Sequence, residues 1–384
     1  MNAEPSSLPE LTVRLAPSVG SFEAGQWNAL GGHRNPFVSY EFLTSLEDSG
    51  SVGEGTGWDP VPIVIQDASD NLLGAMPSYA KGHSQGEYVF DHSWADALHR
   101  AGGRYYPKLQ IAAPFTPANG PRLLLSDNSL AMHLLKGAET VCLQNGLSSA
   151  HATFIEPEQT QLFEAGEWLM RSDLQFHWLN RDYDTFDGFL DDLASRKRKN
   201  LRKERAAAQE GLKIVKLSGD DIKPHHWDAF WVFYQDTGAR KWGTPYLTRD
   251  AFTLLGERMG DRIVLILALD DGTPIAGALN FVGSEALYGR YWGCSRDVRF
   301  LHFELCYYQA IDLAIELGLQ RVEAGAQGGH KLARGYEPVK TWSAHWLADR
   351  GFRAAVSEFL EREREGVATD QVFLDRRTPF KKDA

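Results

Sequence analysis

VLILALDDGTPIAGALNFVGSEALYGRYWGCS, running from Val264 to Ser295, is the stretch that decides the fold. It reads as three antiparallel strands. The first is β-branched and apolar, and stops at Asp270-Asp271-Gly272, a tight-turn signal. The second is predicted over 275–282 and the third over 286–293. Next comes FELCYYQAIDLAIEL (303–317). Its Phe303, Cys306, Tyr307, Ala310, Ile311, Ala314 and Leu317 recur at spacings of three and four, one apolar helix face. Gly318 stands where a helix C-cap belongs. RVEAGA (321–326) and WSAHWL (342–347) read as two further strands.

The first half repeats that order. Strands are predicted over 61–65, 72–79 and 87–90, with DASDN (67–71) as turn material. A helix is predicted over 130–144, ending near Gly146, followed by strands over 152–155 and 175–179. His-Trp-Leu closes both halves, at His177–Leu179 and His345–Leu347. PIVI at Pro62 and RIVL at Arg262 open them. The reading is a tandem duplication. The first copy carries an insertion over 92–125, dense in Gly, Pro and aromatics, read as loop or lid. The expected organisation is an N-terminal domain over 1–185, a basic helical connector over 186–212, and a C-terminal domain over 213–384, the catalytic half.

The connector holds SRKRKNLRKER (195–205), seven basic residues and one acid, followed by helix formers up to Gly211. It reads as a positive helix on a chain of net charge -11. Either it is a solvated face, or Arg198, Lys199, Arg202 and Lys203 dock a phosphate-bearing group. The acidic total argues against a whole-surface nucleic-acid binder, so no DNA partner is expected. The longest apolar run, Ile263–Leu269, falls far short of the ~20 residues of a membrane span. The first twenty residues show no secretory pattern. Three cysteines without a CxxC pair suit a reducing compartment, so the expected location is cytoplasmic. No metal motif occurs, and the adjacent His225-His226 is a poor chelate.

Longer strings carry a family resemblance. They are HSWADALHRAGGRYYPKLQIAAPFTPANGPRLL from His92, QFHWLNRDY from Gln175, SRKRKNLRKER from Ser195, KWGTPYLT from Lys241, IAGALN from Ile275, LYGRYWG from Leu287, LHFELCYYQAI from Leu301 and EAGAQGGHKLARGYEP from Glu323. With the order hairpin, third strand, central helix, strands, they resemble the Fem-like predicted N-acyltransferases, Fem-type proteins of peptidoglycan biosynthesis or recognition. The resemblance implies an α/β (α+β) fold of tandem GNAT-like domains, each a mixed, mostly antiparallel sheet flanked by helices. It also implies acyl or aminoacyl transfer to an amine, without a metal. No cofactor is expected to be tightly bound. The donor would be acyl-CoA or aminoacyl-tRNA, so tRNA is a candidate partner, and the acceptor a small-molecule or peptide amine. The glycine-rich phosphate turn of acyl-CoA enzymes is missing from Cys294–Leu301, which puts the usual coenzyme A binding in doubt.

Transfer to an amine requires a base, an oxyanion donor and a proton for the leaving group. Strand alternation puts Tyr288, Arg290 and Trp292 on one face, and Arg321, Glu323, Gly325 and Gln327 on one face of the later strand. In the resembled fold these strands are neighbours. Glu323 is then either the general base or half of an Arg290–Glu323 ion pair. Glu304 and His302, in the first turn of the central helix, are either helix-start residues or amine-handling groups. Cys306 reads as packing. Gln327 is an oxyanion candidate, and Tyr336, by the resemblance, a leaving-group acid. His330, Lys331 and Arg334 are substrate-binding candidates. So are His92, Trp94, Tyr105, Tyr106 and Lys108 of the insertion, and Lys241 and Trp242. The alternative from another class is a silent module that binds an amine-bearing peptide, lipid or cell-wall precursor.

Overall fold

The computed structural model describes residues 11–241, 245–325 and 328–381, the side chains of 239–241 excepted. The strands are β1 (Leu11–Leu15), β2 (Trp58–Pro60), β3 (Ile63–Asp67), β4 (Leu72–Met76), β5 (Ser78–Lys81), β6 (Lys108–Ile111), β7 (Leu124–Leu125), β8 (Ser149–Ile155), β9 (Leu169–Leu179), β10 (Lys213–Leu217), β11 (Ile263–Asp270), β12 (Thr273–Val282), β13 (Ala286–Cys294), β14 (Arg321–Glu323) and β15 (Glu337–Leu347). The helices used below are α1 (Tyr40–Asp48), α2 (His92–Arg100), α3 (Ala131–Asn145), α4 (Ser195–Gln209), α5 (Pro224–Lys241), α6 (Arg249–Met259), α7 (301–316) and α8 (Arg350–Asp375).

Both halves use one pairing scheme. In the first, β1·β3, β3·β4 and β5·β6 are antiparallel and β6·β8 is parallel. In the second, β10·β11, β11·β12 and β12·β13 are antiparallel and β13·β14 is parallel. Each parallel pair is bridged by a helix, α3 or α7, as a parallel connection requires. Pro77 interrupts the second strand of the first half, so β4 joins a four-stranded sheet while β5 joins the large one.

The last strand of each half is exchanged. β9 pairs with β14 of the second half, and β15 pairs with β8 of the first. β9 and β15 also pair with each other, antiparallel, with Asp173 opposite Thr341. An eleven-stranded sheet results, in the order β10-β11-β12-β13-β14-β9-β15-β8-β6-β5-β2. The two His-Trp-Leu copies lie in the exchanged strands. His177 faces Glu323 across β9·β14, and His345 faces His151 across β15·β8.

One face of the sheet buries Phe176, Trp178, Leu287 and Val322 against α7 and the 186–193 segment. Another apolar cluster joins Phe37, Phe42, Phe281 and Tyr288 to Trp227 and Phe252 of α5 and α6. Trp178 is fully buried and packs edge-on to Phe189. Burying a large apolar side chain of this kind contributes about 1.5–3 kcal/mol.

The expected elements mostly appear with small boundary changes. α3 ends at Gly146, in the left-handed region at φ 64, and Gly318 after α7 adopts φ 65, as their places at helix ends require. Two expectations fail, the first being the strand over 72–79, which Pro77 splits into β4 and β5. Residues 87–90 form no strand; the third strand of the first half is β6, inside the stretch read as insertion. The intervening segment therefore lies between β5 and β6, and it contains a helix, α2.

Candidate active site

β13 and β14 run side by side only from Ala286↔Arg321 to Tyr288↔Glu323. β14 then ends, while β13 continues to Cys294, and the place where the two strands part is the slot. At this point β13 also bulges. Leu279 of β12 faces Tyr291 and Asn280 faces Gly289, leaving Arg290 as the extra residue. The bulge resets the side-chain alternation. Tyr288 and Tyr291 now join one apolar cluster, and Leu287 and Trp292 the opposite one. The predicted shared face of Tyr288, Arg290 and Trp292 is thereby corrected. Tyr288 is a core residue, packed edge-on to Phe37 at 5.0 Å.

Arg290 and Glu323 do not form an ion pair. The Arg290 Nη2 donates to the Phe115 carbonyl, and its buried Nε has no partner. Glu323 is only 3% exposed. Its Oε1 accepts from Arg321 Nε at 3.0 Å, and its Oε2 lies 3.9 Å from His177 Nε2 without a hydrogen bond. Glu323 is thus a sealed carboxylate beneath the slot, and it does not line the pocket described below.

On the helix side, α7 opens with Phe300 at φ 66 and widens into a π-turn over Glu304–Tyr308. Such turns redirect side chains and recur at functional sites. Glu304 points inward and is fully buried. Its Oε1 accepts from Arg205 (3.2 Å), Gln209 (2.8 Å) and Gln309 (2.7 Å). Glu204 accepts from Tyr308 and from Arg334, and Arg205 also donates to Asp312, so α4 is bolted to α7 at three points. Glu304 is therefore an internal tether and not an exposed first-turn acid.

A pocket of about 330 Å³ lies at the start of α7, lined by Trp292, Cys294, Asp297, Phe300, His302 and Phe303 among others. His302 is half-buried and stands edge-on to Trp292 and Tyr307. His330, exposed, places Nε2 2.9 Å from the Tyr307 hydroxyl. Arg334 lies over the Phe303 ring at 3.5 Å. Lys331 is 1% exposed, and its Nζ donates to the Gly325 carbonyl at 2.7 Å. Burial pulls its ammonium down to about 8, with Cys306 opposing the fall and Arg290 adding to it. Tyr336 is fully buried with an unpartnered hydroxyl, and burial holds that hydroxyl protonated far above neutral pH. Arg290, Lys331, Cys306, Tyr307, His330 and Tyr336 thus gather around the slot. The sequence reading took Tyr307 only as part of an apolar helix face; its polar end was visible solely as a tyrosine in that stripe.

Other predicted residues lie elsewhere. Lys108, fully buried, donates to Glu87 (2.7 Å), Asp91 and Ser84. Tyr105 donates to Asp91 and reaches His151, and Trp94 stands edge-on to His345. The aromatic run is therefore packed against β15 and α8 of the second half. Because β6 is an internal strand, its Lys108 had to find buried carboxylates. Tyr106 hydrogen-bonds Ser84, and His92 is exposed at the start of α2. Gln327, Trp242 and the Lys241 side chain lie outside the described residues. On α4, Arg198 and Arg202 pair with Asp191 and Asp187 at the surface. Arg196, Lys199 and Lys203 remain as an exposed stripe.

Antiparallel strands followed by a helix-bridged parallel pair, present in both halves, make a tandem GNAT-like fold, and in the second half a pocket lies where that helix begins. A family profile described as FemAB-like, peptidoglycan biosynthesis/recognition, matches residues 18–382, and the chain belongs to that family. The crystal structure of FemX superposes with a TM-score of 0.54 at 12% identity, covering 88% of this chain and 98% of that one. L-PGS from Bacillus licheniformis gives 0.50 at 10%, covering 83% and 96%. A tandem GNAT protein from the clavulanic acid biosynthesis pathway gives 0.47 at 16%, covering 88% and 99%. A search of curated protein sequences returns no match. Among the described residues no helix is long and apolar enough to cross a membrane, and no His, Cys, Asp and Glu group could hold a metal ion.

Proposed function

We propose that the chain transfers an acyl or aminoacyl group from an activated donor to an amine, in the slot where β13 and β14 part. One observation carries this reading. Buried polar groups with unmet bonding capacity converge on the slot: among the described residues the Arg290 Nε and the Tyr336 hydroxyl have no hydrogen-bond partner, and the Lys331 ammonium, bonded to the Gly325 carbonyl, has no carboxylate against it. Buried donors of this kind are costly unless a ligand satisfies them. Arg290 and Lys331 would hold the carbonyl oxygen as it gains charge. The amine nitrogen attacks the carbonyl carbon and gives up its proton to His330, directly or through Tyr307. The bond between the carbonyl carbon and the leaving group then breaks, Tyr336 gives the departing group a proton, and His330 restores it to Tyr336 by way of Tyr307. Glu323, bonded to Arg321, orients the slot from below.

The donor would enter over the pocket at the start of α7. Asp297 and the lack of a glycine turn there disfavour a pyrophosphate, whereas the Arg196, Lys199 and Lys203 stripe suits a larger polyanion such as an aminoacyl-tRNA. The test pairs mass spectrometry of copurifying small molecules and RNA with turnover of His330→Asn and Glu323→Gln, using the donor so identified. A loss of about 100-fold in His330→Asn is expected, in the range of general-base catalysis. Wild-type turnover in His330→Asn, or absence of any acyl donor activity, overturns the reading.

A further inference from the structure

Glu204 is the one acid in the basic run 195–205 of α4. Spacing explains why it points inward. Leu201, Glu204 and Ala208 recur at three and four, and Leu201 and Ala208 are buried, whereas Arg196, Lys199 and Lys203 are exposed. One oxygen of the carboxylate is shared. Oε2 accepts from the Tyr308 hydroxyl and, at 2.9 Å, from Arg334 Nη2. Both donors lead to the slot. Tyr308 directly follows Tyr307 in the π-turn of α7. Arg334 closes the 329–334 turn, where its Nη1 donates to the His330 carbonyl at 2.9 Å.

The surroundings of His330 are built for one placement of its ring. Gly328, at φ 123, leaves the space that the ring occupies; a Cβ there would lie 2.6 Å from the imidazole Cε1. Phe303 packs against the whole group, its centroid 5.6 Å from the His330 ring and 6.0 Å from Tyr307, with the Arg334 guanidinium on its face at 3.5 Å. A planar guanidinium can divide its fork between Glu204 and the His330 carbonyl, which a single ammonium matches poorly. Without the Glu204 carboxylate, Arg334 and Tyr308 lose their acceptor together. The two elements that present the 2.9 Å contact between His330 Nε2 and the Tyr307 hydroxyl then have no common anchor.

Resting on the transfer reaction above, in which this contact moves the proton, we propose that Glu204 is a positioning residue: through Arg334 and Tyr308 it sets His330 against Tyr307. The acid of the basic helix thereby ties the face of α4 that would dock a donor to the groups that would act on it. The test reads the His330 ring nitrogens by imidazole 15N NMR of the full chain, with no donor added. His330→Asn assigns the signal, and Tyr307→Phe marks where it lies once the contact is lost. Glu204→Ala should shift the His330 signal to the Tyr307→Phe position. Arg334→Lys should shift it the same way, and it carries the test if alanine at 204 prevents folding. A His330 signal that stays at the parent position in folded Glu204→Ala or in Arg334→Lys overturns the assignment, because a mere fastening of α4 would leave the contact in place. A parent signal already at the Tyr307→Phe position overturns it as well. Because no turnover is read, failure here leaves the transfer reaction standing or falling on its own experiment.

Discussion

Replacing Lys331 with methionine should make the protein more stable and inactive at once. The ammonium is buried beside Arg290, and its fall from 10.5 to about 8 corresponds to about 3 kcal/mol of penalty for carrying the charge at neutral pH. Methionine fills a similar volume without charge. It forfeits the hydrogen bond to the Gly325 carbonyl, a loss of about 1 kcal/mol. The net gain at pH 7 is then about 2 kcal/mol. The sign follows from proton counts. Between pH 8 and 10.5 the unfolded chain still holds a proton on Lys331 that the folded chain has released, so the native protein gains stability as pH rises. The advantage of Lys331→Met should therefore shrink to near zero by pH 9.5. Urea unfolding of both proteins at pH 7 and 9.5 measures it. A variant less stable than the parent at both values, or a gap that widens with pH, would refute the picture of an unbalanced buried cation. Undiminished turnover in the variant would remove Lys331 from the chemistry.

Two further outcomes can be checked on the same apparatus. Glu304→Ala removes the acceptor shared by Arg205, Gln209 and Gln309, and should cost about 3 kcal/mol, because it leaves buried donors unmatched; a loss under about 1 kcal/mol would show that α4 is not tethered there. The facing His151 and His345 are both buried, their Nδ1 atoms 2.7 Å apart. Burial drives His151 to about 3, with Lys108 lowering it further, and His345 well below 6.5, so both stay neutral when folded. Stability should then fall as pH drops from 6.5 towards 3, partly offset by Glu87, which burial raises to about 7. Urea midpoints should fall from pH 7 to pH 5, and in a His151→Gln/His345→Gln variant the fall should disappear or turn into a small rise from Glu87; a flat parent profile would contradict two neutral histidines.

The sequence carried the element order well, because Val, Ile and Leu runs, turn triplets and helix-ending glycines are local signals. β11 to β13, α3, α4 and α7 all follow from them. It misplaced β6 for a physical reason. KLQI begins with a lysine that looks exposed until its carboxylates, Glu87 and Asp91, are seen folding over it from about twenty residues upstream. The site was legible as a neighbourhood but not as geometry. GAQGGHKLARGYEP carries His330, Lys331 and Tyr336, which the fold brings near Tyr307 and Cys306. What alternation could not reveal was the bulge at Arg290, which depends on pairing with β12, or the π-turn that carries Glu304 inward. Nor could spacing show that Glu323 would choose Arg321, two residues away on its own strand, over Arg290.

The traded strands β9 and β15 have a mechanical consequence. Hydrogen bonding runs unbroken through the middle of the molecule, so the copies cannot swing apart like jaws without tearing their shared ladder. The halves behave as a fused, mutually threaded pair, and neither would own a finished edge if severed from its twin.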